Sequence, residues 1–352
     1  MKSLLALSIC LLFCFQSFSQ SPLAQAKPAG SDNWGYINPK GEFIIKVQFR
    51  NCHAFSEDGF APIYDKKRKS FYFINPAGKE LATDEKTFKL KNIFGFGTKS
   101  FQDGVVGIQV GKKWGYLNTK GALVVTPKYE VANVFNGGFT TVRSGAKWMI
   151  INQKGNETAF SENVTDAKPF SEGLAPVRIS DQWGFASTNG SIVIKASFKS
   201  VGYFSNGLAW VKTEEGKIGF VDKKGKWVIK PKYEAAKNFS EGLARVKSGT
   251  WTFVDVNGNE ISTPSADSFG DFSDGLAYVK SDGKVGFIDK TGKVVIEQQY
   301  DKVRDFKNGY AAVRQGEKWG FIDTAGKWVI EPTFDGVKDF EKTGKYRANS
   351  HF

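Results

Sequence analysis

Apolar positions along the chain alternate in short bursts and do not recur at helical spacing. In Trp319-Gly320-Phe321-Ile322-Asp323, Trp319 and Phe321 fall on one face and Gly320 and Ile322 on the other, the period-2 pattern of a strand. Asp323-Thr324-Ala325-Gly326 interrupts it with turn residues, glycine supplying a positive φ. Lys327-Trp328-Val329-Ile330 reads as a second strand, and its unbroken apolar run predicts burial on both faces. Pro332 is expected to end that strand, because proline cannot donate to a ladder. A third strand is predicted after each Phe-x-x-Gly turn, as in Leu276-Ala277-Tyr278-Val279, and Ser281-Asp282-Gly283-Lys284 turns it back. Short strands between glycine-rich turns predict an all-β fold.

The pattern repeats. A first anchor falls at Trp34, Phe71, Trp114, Trp148, Trp183, Ile218, Trp251, Val285 and Trp319. A second falls at Phe55, Phe101, Phe135, Phe170, Phe204, Phe239, Phe272, Phe306 and Phe340. The two are 21 residues apart in seven repeats, 22 in the fourth and 30 in the second, where extra sequence lies around Lys86 to Gly97. A ruler held this closely means nine units of ~35 residues, each too small to bury its own faces and therefore stacked on its neighbours.

Glycine follows the first anchor in six units, at Gly35, Gly115, Gly184, Gly219, Gly286 and Gly320. Glycine weakens a strand unless its small size is needed, so a neighbouring aromatic ring is expected to pack over it. Tyr72, Met149 and Thr252 replace it in three units, and the same three lack a Pro-x-Tyr-like segment. The paired losses suggest that the glycine and that tyrosine are packing partners.

With these residues on the page, a resemblance is evident. Lys318-Trp319-Gly320-Phe321-Ile322-Asp323 with Gly326-Lys327-Trp328-Val329-Ile330-Glu331-Pro332 resembles the signature of the WG-repeat (Trp-Gly β-repeat) proteins. Lys113-Trp114-Gly115-Tyr116 to Pro127-Lys128-Tyr129, and the Gly219 repeat with Pro231-Lys232-Tyr233, are similar to it too. The resemblance covers about residues 33–348, with departures in the second, fourth and seventh repeats. It implies a bacterial, often exported β-repeat protein with no general activity, and it supplies no catalytic residues.

Composition sharpens this picture. The 51 aromatics among 352 residues (31 Phe, 11 Tyr, 9 Trp) exclude a disordered chain. Three cysteines and two histidines exclude a disulfide scaffold or a Cys/His zinc protein. At the N-terminus, Lys2 precedes the apolar run Leu4 to Phe15, and Ser17-Phe18-Ser19 offers a cleavage site. This predicts a signal peptide over 1–19, since the run is too short to span a membrane. A lipoprotein signal is disfavoured because Ile9 and Phe13 precede Cys10 and Cys14. Residues 20–32, with Pro22, Pro28 and Gly30, read as a flexible lead-in to a single array over 33–348. Cleavage would leave Cys52 as the only cysteine, so no internal disulfide is expected.

Candidate chemistry is sparse. His53 adjoins Cys52, but neighbouring strand residues point to opposite faces, and His351 lies at the C-terminus. Asp222, Asp255, Asp289 and Asp323 recur at one hairpin position and read as caps of their own turns. Glu57, Glu172 and Glu241 recur in the Phe-Ser-Glu turns in the same way. Periodic acids are architecture, so no catalytic, cofactor-binding or metal residues are assigned, and the ligand-binding residues stay unassigned. The net charge of +13, or +12 after loss of Lys2, favours acidic partners. Lysines cluster with aromatics around Lys223, Lys224, Lys226, Trp227, Lys230 and Lys232.

The sequence therefore predicts an exported, monomeric, non-enzymatic scaffold that binds a protein or an acidic cell-envelope glycan. It predicts no nucleic-acid partner and no membrane span. A polysaccharide-acting enzyme using non-periodic carboxylates and a purely structural envelope component are the alternatives. Nine units exceed the usual propeller, so an open, curved array is expected over a closed ring. Contact between the regions of Trp34 and Tyr346 would overturn that expectation.

Overall fold

The computed structural model describes residues 21–93 and 97–344. The predicted signal peptide and the strand expected around Lys345 to Arg347 lie outside them. Every regular element in the described residues is a strand. The repeating sheet has four antiparallel strands, exemplified by Asp166–Ala167, Leu174–Ile179, Gln182–Ser187 and Ile192–Phe198. Three were expected. The missed one, Asp166–Ala167, is two residues long and too short to show a period.

Each sheet straddles two sequence repeats. The Trp183 repeat gives the third and fourth strands of one sheet, then continues into Ser200–Val201 and Leu208–Lys212 of the next. Neighbouring sheets are thus covalently interlocked. We name each sheet by the first anchor on its third strand.

Except in the Trp319 sheet, whose fourth strand Trp328–Val337 also pairs beyond its proline with Ala24–Pro28, the fourth strand pairs only with the third and forms an edge. Its expected burial on both faces is not observed: Ile229 is buried, whereas Val228 is 41% exposed, and Ile44, Val193 and Val295 occupy the same outward position. The prolines do not end these strands either. Pro127, Pro231 and Pro332 lie inside Leu123–Tyr129, Trp227–Tyr233 and Trp328–Val337. An edge strand tolerates a missing donor that would break a central one.

The core is built on phenylalanine. All nine second-anchor phenylalanines are buried, whereas the nine tryptophans are only half-buried. Eight of the nine phenylalanines meet a ring on the strand of the preceding sheet that carries its first anchor. Phe185–Phe204, Phe220–Phe239, Phe253–Phe272, Phe287–Phe306 and Phe321–Phe340 have centroids 4.6–4.9 Å apart. Tyr36–Phe55, Phe73–Phe101 and Tyr116–Phe135 continue the ladder. Such pairs each contribute about 0.5–1.5 kcal/mol beyond their area. The ladder is interrupted before Phe170, where Ile150 stands in the ring position.

The glycine after the first anchor faces backbone. A Cβ on Gly184 would lie 2.3 Å from the Ile194 carbonyl oxygen, and Gly115, Gly286 and Gly320 meet the equivalent carbonyl at 2.2–2.5 Å. In all six glycine sheets the fourth strand slips register opposite this residue. The bulge pushes the strand into the space a side chain would need. In the Trp148 and Trp251 sheets the fourth strand is short and pairs in regular register, leaving room for Met149 and Thr252. The Pro-x-Tyr segment is the part of the strand beyond the bulge, so it and the glycine are lost together. An aromatic ring is among the nearest neighbours at Gly35 and Gly219, where Phe43 and Trp227 add to the backbone contact; at the other four the nearest atoms are backbone.

The flexible lead-in expected over 20–32 is instead a strand, Ala24–Pro28, inside a seven-stranded sheet. It pairs with Trp34–Ile37 on one side and with the last described strand on the other, Ala26 opposite Val337. Leu23 and Glu341 exchange two backbone hydrogen bonds of 3.0 Å. A Cβ on Gly336 would lie 2.9 Å from the Trp34 ring. The expected open ends are therefore corrected: the two ends of the array complete one sheet together. Leu23-Ala24-Gln25-Ala26 is the Leu-Ala-x-Val segment that belongs after Phe340, displaced to the other end of the chain.

A second set of acids ties sheets internally. Glu130, Asp301 and Asp335 each pair with a lysine (Lys113, Lys284, Lys318) and accept from a turn glycine (Gly145, Gly316, Gly30). The Lys113 hydrogen bond, then the Gly145 N–H, hold Glu130 down at about 2, against an ordinary 4.5. Asp301 and Asp335 are lowered by their lysines in the same way. A depressed carboxylate stabilises above its unfolded pKa, and that contribution is lost as pH falls through the folded value. The melting temperature is expected to drop as pH falls from about 4.5 to 2, and Glu130→Gln should flatten part of that slope in a thermal melt series.

Candidate functional site

The turn between first and second strands carries a polar residue in left-handed backbone just before a glycine. Asp103, Glu172, Asn206, Glu241, Asp274 and Asn308 have φ between 49° and 55°. Their side chains reach forward to the next sheet and leave their own turn. Asp58 accepts from Gly104 N–H at 3.0 Å, Asp103 from Gly138 at 3.0 Å, Glu172 from Gly207 at 3.0 Å, Asn206 from Gly242 at 3.1 Å, Glu241 from Gly275 at 2.9 Å and Asp274 from Gly309 at 2.6 Å. Asn308 Nδ2 closes the series by donating to the Phe340 carbonyl at 2.8 Å. Glu172 and Glu241 are thus architectural as expected, but as clamps between sheets. Asp58 takes that role where Glu57 was expected, because this turn is one residue longer. Asp222, Asp255, Asp289 and Asp323 do cap their own hairpins, each accepting from the N–H two residues on.

Five of these turns converge on one cavity of about 840 Å³. They come from both ends of the sequence: Glu57 and Asp58, Lys99 to Asp103, Ser273 and Asp274, Lys307 and Asn308, and Glu341 with Lys342. Lys307 Nζ bonds Glu341 at 2.7 Å across the junction of the chain ends. Burial raises Glu341 above its ordinary value against the pull of Lys307. Burial, with repulsion from Lys307, lowers Lys99. Asp58, Asp103 and Asp274 each use Oδ2 on a backbone amide. The cavity is therefore rimmed by carboxylates, lysines and turn backbone, within the size range of binding pockets. No single repeat carries a signal for it, since the turns meet only because the ends do.

Cys52 and His53 are held through their backbone carbonyls. Gln25 Nε2 donates to the Cys52 carbonyl at 2.7 Å, and Tyr36 OH donates to the His53 carbonyl at 2.7 Å. Burial pushes the Cys52 thiol up and His53 down, so the thiol stays protonated and the imidazole neutral at neutral pH. These residues help seat the N-terminal strand. Lys223, Lys224, Lys226, Lys230 and Lys232 are exposed, and Trp227 beside them is half-buried against Phe198 at 6.0 Å between centroids. Among the described residues no group of three or more His, Cys, Asp or Glu is placed to hold a metal ion.

A family model described as a WG containing repeat matches residues 34–66, 114–148, 148–182, 183–217, 218–249, 251–284, 286–319 and 319–349. No curated protein matches the sequence. Among solved structures, a eukaryotic initiation factor superposes with a TM-score of 0.61 at 10% identity, covering 93% of this chain and 99% of that one. The dihydro-heme d1 dehydrogenase NirN aligns with a TM-score of 0.47 at 13% identity, covering 92% of this chain and 75% of that one. The computationally designed Ika8 protein aligns at 0.46 and 14% identity, covering 74% and 91%. The first likeness shows a shared fold and nothing of function.

Proposed function

The chain belongs to the WG-containing repeat family, and from that premise we propose that it is an exported, non-enzymatic binding ring. Its nine sheets close in a propeller-like circle, and the cavity of about 840 Å³ is the mouth of the central axis. The mouth holds a segment of a partner protein in the cell envelope. The observation that carries this reading is the convergence of turns from opposite ends of the chain on one cavity. Mixed carboxylates and lysines around exposed turn backbone suit a peptide, which offers both charges and its own amides. Asp58, Asp103 and Asp274 are clamps between sheets and Glu341 is paired with Lys307, which argues against their acting as an acid and base pair. Cleavage after Ser19 would leave only a few residues before Leu23, which the closing sheet needs.

The test is affinity capture from envelope extract with the mature protein, followed by mass spectrometry. A second bait carries Gln102→Trp and Lys342→Glu, two exposed residues of the mouth. A partner captured by the intact protein is expected to be lost from the blocked one, with melting temperature unchanged. Equal capture by both, or none by the intact protein, would overturn the reading.

A further inference from the structure

We propose that the seam between the Trp148 and Trp183 sheets is a second site, for a carboxylated sugar of an acidic glycan. This seam departs from both devices that join the other sheets. Ile150 takes the ring position on the third strand, leaving Phe170 a looser ring contact with Phe139 at 6.4 Å, and Gly137 stands where the clamp side chain would be. The seam is joined instead by polar contacts. Asn133 Nδ2 donates to the Ala167 carbonyl at 3.1 Å, and Thr141 Oγ1 donates to the Lys168 carbonyl at 3.1 Å.

A groove of about 650 Å³ opens here, lined by Arg143, Trp148, Asp166, Arg178 and Asp181. Trp148 is held in place, its indole N–H donating to the Thr165 carbonyl at 3.1 Å. Arg143 sits directly across the strand pair from Trp148, and Arg178 across from Trp183. Elsewhere this position holds Tyr64, Gln109, Lys212, Lys247 or Lys280, and Arg314 stands alone in the Trp319 sheet. Only this seam brings two arginines together in consecutive sheets.

The arginines are unequally satisfied. Arg178 Nη2 pairs with Asp181 at 2.8 Å. Arg143 has no ion-pair partner among the described residues, and the buried Nε of each arginine has no hydrogen-bond partner, as is also true of the isolated Arg314 at the same position of the Trp319 sheet. A buried donor without an acceptor is costly, and a planar carboxylate is the group that satisfies a guanidinium through two parallel bonds. The flat Trp148 ring offers apolar surface to the C–H face of a sugar. Asp166 and Asp181 can accept from sugar hydroxyls. A glycan bearing one carboxylate per sugar meets all of these at once, and the net positive charge of the protein draws it in.

The test is calorimetry at low salt with a galacturonic acid hexamer and its methyl ester. The acid is expected to bind about tenfold or more tighter than the ester, as loss of a charge-assisted bond implies. Arg143→Gln should weaken the acid by a similar factor, and Trp148→Phe should diminish the change in tryptophan emission on binding. Equal binding of acid and ester, undiminished binding by a folded Arg143→Gln protein, or no binding would each overturn the proposal. The acid–ester comparison uses the unaltered protein, so it stands even if a variant misfolds. The variant blocked at the mouth should bind the hexamer normally, so failure at either site is read separately.

Discussion

Gly184→Val is expected to lower stability by on the order of 4 kcal/mol or more, the range of substitutions that force a backbone out of place. The new Cβ would sit 2.3 Å from the Ile194 carbonyl oxygen and 2.7 Å from Ala196 N, and neither can move without opening the ladder. The φ of Gly184 is not positive, so the cost is one of space and not of backbone strain. Met149→Val, at the same position in a sheet without the bulge, should cost under about 1.5 kcal/mol. Urea unfolding of the two variants side by side measures the contrast. A loss below about 1 kcal/mol for Gly184→Val would remove the bulge as the reason for the glycine.

Deleting residues 20–28 should be comparably damaging, and for a different reason. The deletion removes the buried Leu23, Ala24 and Ala26 and the hydrogen bonds that the chain ends exchange. Burial of one leucine contributes about 1.5–3 kcal/mol, and each backbone bond about 1 kcal/mol net. The sum is on the order of 5 kcal/mol, and it falls on the junction alone. Thermal melting should show a lower transition, and the cavity should lose its wall at Glu341 and Lys342. An unchanged melting temperature would mean that the first strand adds nothing to the array.

The anchors, hairpins and all-β class were legible because they rest on local pattern. Trp319 to Asp323 alternates, turns and returns within a dozen residues. What was not legible depends on contacts between distant segments. Leu23-Ala24-Gln25-Ala26 matches the repeat, but its phenylalanine is Phe340, at the other end of the chain. Read locally, with Pro22 and Pro28 on either side, it passes for a linker. The glycine signals a demand for space, yet sequence does not say that a carbonyl occupies it. The fourth strand's apolar run has the pattern of a buried strand, since pattern alone does not mark a sheet edge. The candidate sites were hidden for the same reason. Asp58, Asp103 and Asp274 look like ordinary turn residues until closure brings them around one cavity. Arg143 and Arg178 lie 35 positions apart and become neighbours only through the stacking of sheets.

Amide hydrogen exchange tests the meeting of the two ends of the array most directly. The Leu23, Lys338 and Glu341 amides bond to Glu341, Gln25 and Leu23 carbonyls. In the intact protein they should exchange as slowly as amides of the Gln182–Ser187 strand. Truncation after residue 335 should release Leu23 to fast exchange. Unprotected amides at Leu23 to Lys27 in the intact protein, or protection that survives the truncation, would contradict closure.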